Sequence, residues 1–133
     1  MKPCYSIQYT CFIILAASIL NFHKAEAQVV INEYSCSNID SYADNYGEYG
    51  DWIELYNSGT SVVNIGGYYL SDNPDAPTKW KFPATTTMAS HGFLRIWLSG
   101  RNVANPGHLH TSFKLTQTNN PTENVVLADA TGT

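Results

Sequence analysis

Four sets of residues in this chain are of types that can do chemistry. The first is acidic. Asp40, Asp44, Glu48 and Asp51 fall within one polar, Gly-containing stretch. Calcium needs several oxygen ligands from such a loop. The spacing departs from the alternate-position carboxylates and terminal bidentate Glu of an EF-hand. The stretch therefore reads as a solvated loop, with calcium as its alternative, and no cofactor is expected. The second set is His108-x-His110. Residues i and i+2 of a strand share a face, so two imidazoles could reach one zinc or copper ion. A third ligand, from His91 or a carboxylate, is not placed by the sequence. One surface His and one packed at a strand end is the favoured reading.

The third set is Glu33 and Glu54, each in the middle of an apolar stretch. Paired carboxylates do acid–base work only in a cleft that separates their pKa values. Here they are expected on an edge or outer face, bonded to backbone amides or to Lys81 or Arg95. The fourth set is aromatic: Trp52, Tyr56, Tyr68, Trp80 and Trp97. Such rings can form a platform for sugars or for a partner protein. Trp80 and Trp97 are expected in the core. Trp52 and Tyr56 are expected exposed, as the interaction residues. No Gly-rich phosphate loop and no nucleophile elbow occurs, so no catalytic residue is assigned.

The elements that position these residues are strands. Residues 51–57, Asp-Trp-Ile-Glu-Leu-Tyr-Asn, alternate with Ile53 and Leu55 on one side and Trp52, Glu54 and Tyr56 on the other. That is the period of a strand with one face on a core. Asn57-Ser58-Gly59 ends it with turn residues. Further strands are expected over 29–34, 61–65, 68–71, 79–82, 85–88, 93–98, 109–115 and 124–128. Loops are expected at 37–50, 72–78 and 101–107, with a break at Asn119-Asn120-Pro121. No window has the 3.6 period of an amphipathic helix. Strand signals about every ten residues favour an all-β sandwich or barrel. The expected core is Ile31, Ile53, Leu55, Leu70, Phe82, Leu94, Ile96, Phe113 and Leu127.

Residues 1–27 read as a secretory signal peptide. Lys2 precedes the apolar run 11–20, and Ala25-Glu26-Ala27 carries small residues where a signal peptidase reads, so cleavage is expected before Gln28. The run is short of the ~20 residues of a membrane span. Residues 28–133 then form one domain, secreted or at the cell surface. They hold five basic and ten acidic residues without a basic cluster, which argues against nucleic acid as a partner. Cys36 is the one cysteine left after cleavage. It reads as a buried or inert thiol, and no disulfide can form within the mature chain. The tail Asp129-Ala130-Thr131-Gly132-Thr133 reads as a turn into a partner strand beyond residue 133, so the domain is expected to be C-terminally truncated. Its edge would then be open to pairing with other chains.

Four blocks stand in order. Gly-Glu-Tyr-Gly-Asp-Trp-Ile-Glu-Leu-Tyr-Asn spans 47–57, and Ile-Gly-Gly-Tyr-Tyr-Leu-Ser-Asp spans 65–72. Trp80-Lys81-Phe82-Pro83 leads to Gly-Phe-Leu-Arg-Ile-Trp-Leu-Ser-Gly at 92–100. Residues 109–115 precede Val-Leu-Ala-Asp-Ala-Thr-Gly at 126–132. With Val30-Ile31-Asn32-Glu33 as a first strand, this order resembles the lamin-tail domain in the form found in secreted bacterial proteins. The resemblance implies an immunoglobulin-like β-sandwich. It also implies a non-catalytic interaction or adhesion module of a larger secreted or surface protein, binding a protein or an extracellular polymer. The alternative it implies is an accessory domain of a secreted hydrolase, of nuclease or phosphatase type, with its catalytic part beyond residue 133. The family has no agreed catalytic residues to carry over.

Overall fold

The computed structural model describes residues 27–105, 107–116 and 124–133. The expected leader and the break at Asn119-Asn120-Pro121 lie outside the described residues. Ten strands are present and no helix among the described residues. They are β1 (Val29–Ser35), β2 (Trp52–Asn57), β3 (Val63–Asn64), β4 (Tyr69–Ser71) and β5 (Trp80–Lys81), then β6 (Thr87–Met88), β7 (Phe93–Trp97), β8 (Val103–Asn105), β9 (His108–His110) and β10 (Val126–Ala128). The main sheet has the order β1-β2-β7-β9-β8, a three-stranded sheet the order β10-β4-β5, and β3 pairs with β6.

Alternation in β2 and β7 sets the two faces of the main sheet. Leu55 lies opposite Leu94, and Ile53 opposite Ile96, which in turn lies beside Leu109 on the parallel strand β9. This inner row meets Leu70, Trp80, Phe82, Ile65 and Met88 from the other sheets in one core. Ile53, Leu55, Leu70 and Ile96 are fully buried, each worth about 1.5–3 kcal/mol relative to exposure. Of the expected core, Ile31, Leu94 and Leu127 are only partly buried and pack against it. Val29, Ile65, Met88, Leu98 and Leu109 are core residues the pattern did not single out.

Three local expectations are corrected. Residues 101–107 are not all loop, because β8 pairs antiparallel with β9. Ala104 and Asn105 of β8 are exposed, so this hairpin is held by backbone pairing and leaves no apolar alternation to read. The strand expected over 109–115 ends at His110. There the Thr111 amide donates to the Trp97 carbonyl, and its hydroxyl to the Phe113 carbonyl, 2.7 Å away. The backbone is turned out of the ladder while Phe113 stays in the core. Cys36 is exposed rather than buried, since it follows the last residue of the edge strand β1. At the end of the chain, the Asp129 carboxylate accepts from the Thr131 amide at 2.8 Å and the Thr133 amide at 3.2 Å, closing a turn after β10.

Candidate functional site

The outer face of the main sheet carries three cross-strand rows. Trp52, Trp97 and His110 form one, Glu54 and Arg95 the next, and Val30, Tyr56 and Phe93 the third. The sequence dictates this, because one residue of β2 or β7 facing the core forces its neighbours outward. The three rows differ in what covers them.

The segment between β1 and β2 lies over the first row. Asn38 and Asp44, both buried, organise it. The Asn38 amide donates to the carbonyls of Tyr42, at 2.6 Å, and Gly50, at 3.0 Å. Asp44 Oδ1 accepts from the amides of Tyr46, at 2.8 Å, and Glu48, at 2.9 Å. These bonds present Tyr42 edge-on to Trp52, with centroids 5.5 Å apart, and Tyr46 to His110 at 5.4 Å. Trp52 is therefore only 3% exposed, which corrects its expected exposure. It does point outward, but the 37–50 loop expected to be solvated lies above it. Trp97 is buried as expected, yet under this loop and outside the central core.

Two arginines clamp the segment to the sheet. The Arg95 guanidinium lies 3.6 Å from the Tyr42 ring centroid and 4.8 Å from that of Trp52. It also bonds Glu54 at 3.2 Å, and Arg95 is one of the partners the sequence allows for it. Arg95 Nε and Trp52 Nε1 are buried without a hydrogen-bond partner. For Arg95 the Tyr42 π-face takes that place. Arg101 lies 4.3 Å from the Tyr46 ring and pairs with Glu48 at 2.6 Å, which raises its pKa further.

His110 is fully buried. Its Nε2 donates to Asn45 Oδ1 at 2.8 Å. Ser99 Oγ, which accepts from the Arg101 amide, donates to its Nδ1 at 2.9 Å. Both ring nitrogens are thus engaged within the protein, and loss of hydration holds its pKa below the ordinary imidazole value. His108 is exposed, and His91 lies beyond Tyr56, with its Nδ1 3.1 Å from the Tyr56 hydroxyl. The imidazoles considered for one metal ion are therefore not brought together. The acidic set is also spread. Asp40 is exposed, Asp44 is turned into its own loop, Glu48 pairs with Arg101, and Asp51 is half-buried at the start of β2. Among the described residues no three His, Cys, Asp or Glu side chains group to hold a metal. Glu33 and Glu54 sit opposite each other on β1 and β2, but Glu33 is exposed while Glu54 is engaged by Arg95 and Asn32.

The third row is left open. Tyr56 is half-buried, and Phe93, on a central strand, is 59% exposed. The two rings stack at 4.8 Å with 29° between their planes. Beside Phe93 runs a groove of about 430 Å³ lined by Ala43, Asp44, Asn45, Arg95, Trp97 and His108, among others. Phe93 escaped the sequence reading. Its signal was present: with Leu94 and Ile96 facing inward, Phe93 has to share the outer face with Arg95 and Trp97.

Residues 23–133 match the sequence profile of the Lamin Tail Domain. The chain belongs to the lamin tail domain family. The all-β, several-sheet structure is consistent with the immunoglobulin-like sandwich of lamin tail domains. Lamin tail domains are typically non-catalytic, and no catalytic domain is detected in this one. No curated protein matches the chain.

Proposed function

We propose that this lamin tail domain is a non-catalytic extracellular interaction module, and that it binds through the open part of the outer sheet face. The observation that carries the reading is Phe93, a large apolar ring 59% exposed on the same outer face whose Trp52–Trp97–His110 row is covered. Exposed apolar surface next to polar rims is a mark of binding sites. Tyr56 takes part as the ring behind Phe93, whereas Trp52 supports the loop from beneath. The partner is a protein or a polymer of the cell surface. The leader-like residues 1–27 support export.

The test is retention of the full chain on the surface of the cells that produce it, compared with Phe93→Ala. We expect the parent to be retained and the variant released at equal folding. Equal retention of both, or of neither, would refute the reading. N-terminal sequencing of exported protein should begin at Gln28. A chain that keeps residues 1–27 would remove the export argument.

A further inference from the structure

The groove beside Phe93 has a composition that selects a ligand class. One ring face of Phe93 is covered by Tyr56, and the ring, 59% exposed, forms one wall of the groove. Tyr56, behind it, is half-buried and its hydroxyl lies 3.1 Å from His91 Nδ1. The facing rim is Ala43, Asp44 and Asn45, made rigid by the two amides that Asp44 accepts and by the Asn45–His110 bond. Arg95, the one cation of the lining, keeps 29% side-chain exposure and has Glu54 as counter-charge. Exposed His108 completes the lining.

An apolar wall with convergent polar groups fixes both the orientation and the chemistry of what enters. With Arg95 balanced by Glu54 and Asp44 at the rim, the groove has no unopposed positive charge to draw an anion. The matching ligand is neutral, has one flat C–H face for the Phe93 ring, and has hydroxyl edges for Arg95, Asn45 and His108. We propose that this groove is a subsite for a neutral pyranose ring of an extracellular polysaccharide. The proposal rests on the interaction reading above and names its partner.

The experiment is an amide-NMR titration of the full chain. The probes are neutral tetrasaccharides of glucose, mannose, xylose and N-acetylglucosamine, with an oligogalacturonate as the anionic control. At least one neutral probe should shift the amides of Asp44, Asn45, Phe93, Arg95 and His108. Phe93→Ala should weaken that probe roughly tenfold or more, as loss of a central aromatic contact does. Val62→Ala, at an exposed position in the β2–β3 turn, should not. Phe93 is largely outside the core, so its variant should keep a dispersed amide spectrum. Four outcomes overturn the proposal: no neutral probe shifting these amides, shifts unaffected by Phe93→Ala, weakening by Val62→Ala as well, or equal binding of the anionic control. If sugars fail while Phe93-dependent cell retention persists, the partner is a protein and the interaction reading stands. If both fail, both readings fall.

Discussion

Replacing Asn57 by Ala tests how the outer face is positioned. Asn57 closes β2 and is fully buried. Its amide group donates to the carbonyls of Ser61, at 2.9 Å, and Ala89, at 2.8 Å. Its Oδ1 accepts from the Gly59 amide at 3.0 Å and from the Gln28 side chain at 3.2 Å. One side chain therefore ties the end of β2 to the turn that follows it, to the turn that carries His91, and to the start of β1. Three of these bonds involve backbone groups. At about 1 kcal/mol net for each, Asn57→Ala should lower stability by roughly 3 kcal/mol. That is a large part of a total of about 5–15 kcal/mol. In a domain of this size it should lower Tm by roughly 12–24 °C. Paired urea and thermal melts measure it, and an unchanged urea slope would show that the denatured state is not responsible. Asn57→Asp refines the test. It keeps the acceptor for Gly59 but turns a carboxylate oxygen toward two carbonyls, so at pH 7 it should be no milder than Ala. A loss under about 1 kcal/mol for Ala, or a clearly milder Asp variant, would refute the argument, since buried donors would then not hold these turns.

Three further outcomes are expected. Ile53→Ala, at a fully buried position of the central row, should cost about 2–5 kcal/mol in urea melts. A variant as stable as the parent would take Ile53 out of the core. Cys36 should react fully with a thiol reagent in the native protein, since it is exposed, and protection until unfolding would contradict its position. The third concerns pH. His110 has a folded pKa below its ordinary value of 6.5 because burial disfavours the imidazolium, so the unfolded chain binds its proton first. Its contribution is complete above pH 6.5 and is lost as pH falls from there through the folded value. His110→Gln should flatten this part of the stability–pH curve, while leaving the loss below pH 3.8, where Asp129 with its lowered pKa contributes. An unchanged slope between pH 6.5 and 5 would show that His110 does not titrate on folding.

The sequence by itself determined the fold class, most strands, the centre of the core and the direction of the β2 side chains. Alternation suffices for this, because a strand with one face on a core has a period of two residues and Ile53, Leu55, Leu94 and Ile96 keep it. It also offered Arg95 among the possible partners of Glu54, and one surface and one packed imidazole for His108-x-His110, without saying which is which. What it could not decide was cover. Trp52 and Phe93 both point outward, and local pattern treats them alike. Asn38, Asp44 and two arginine–aromatic clamps bring the 36–50 segment down on Trp52, and leave Phe93 open. Those contacts join residues far apart in the chain, such as Asn45 with His110. The β8–β9 hairpin was hidden for a related reason, since it rests on backbone bonds that any residue can make. Direction is a local property of the backbone, but exposure depends on which distant segment arrives to cover it. The candidate binding face therefore became visible only in the tertiary structure.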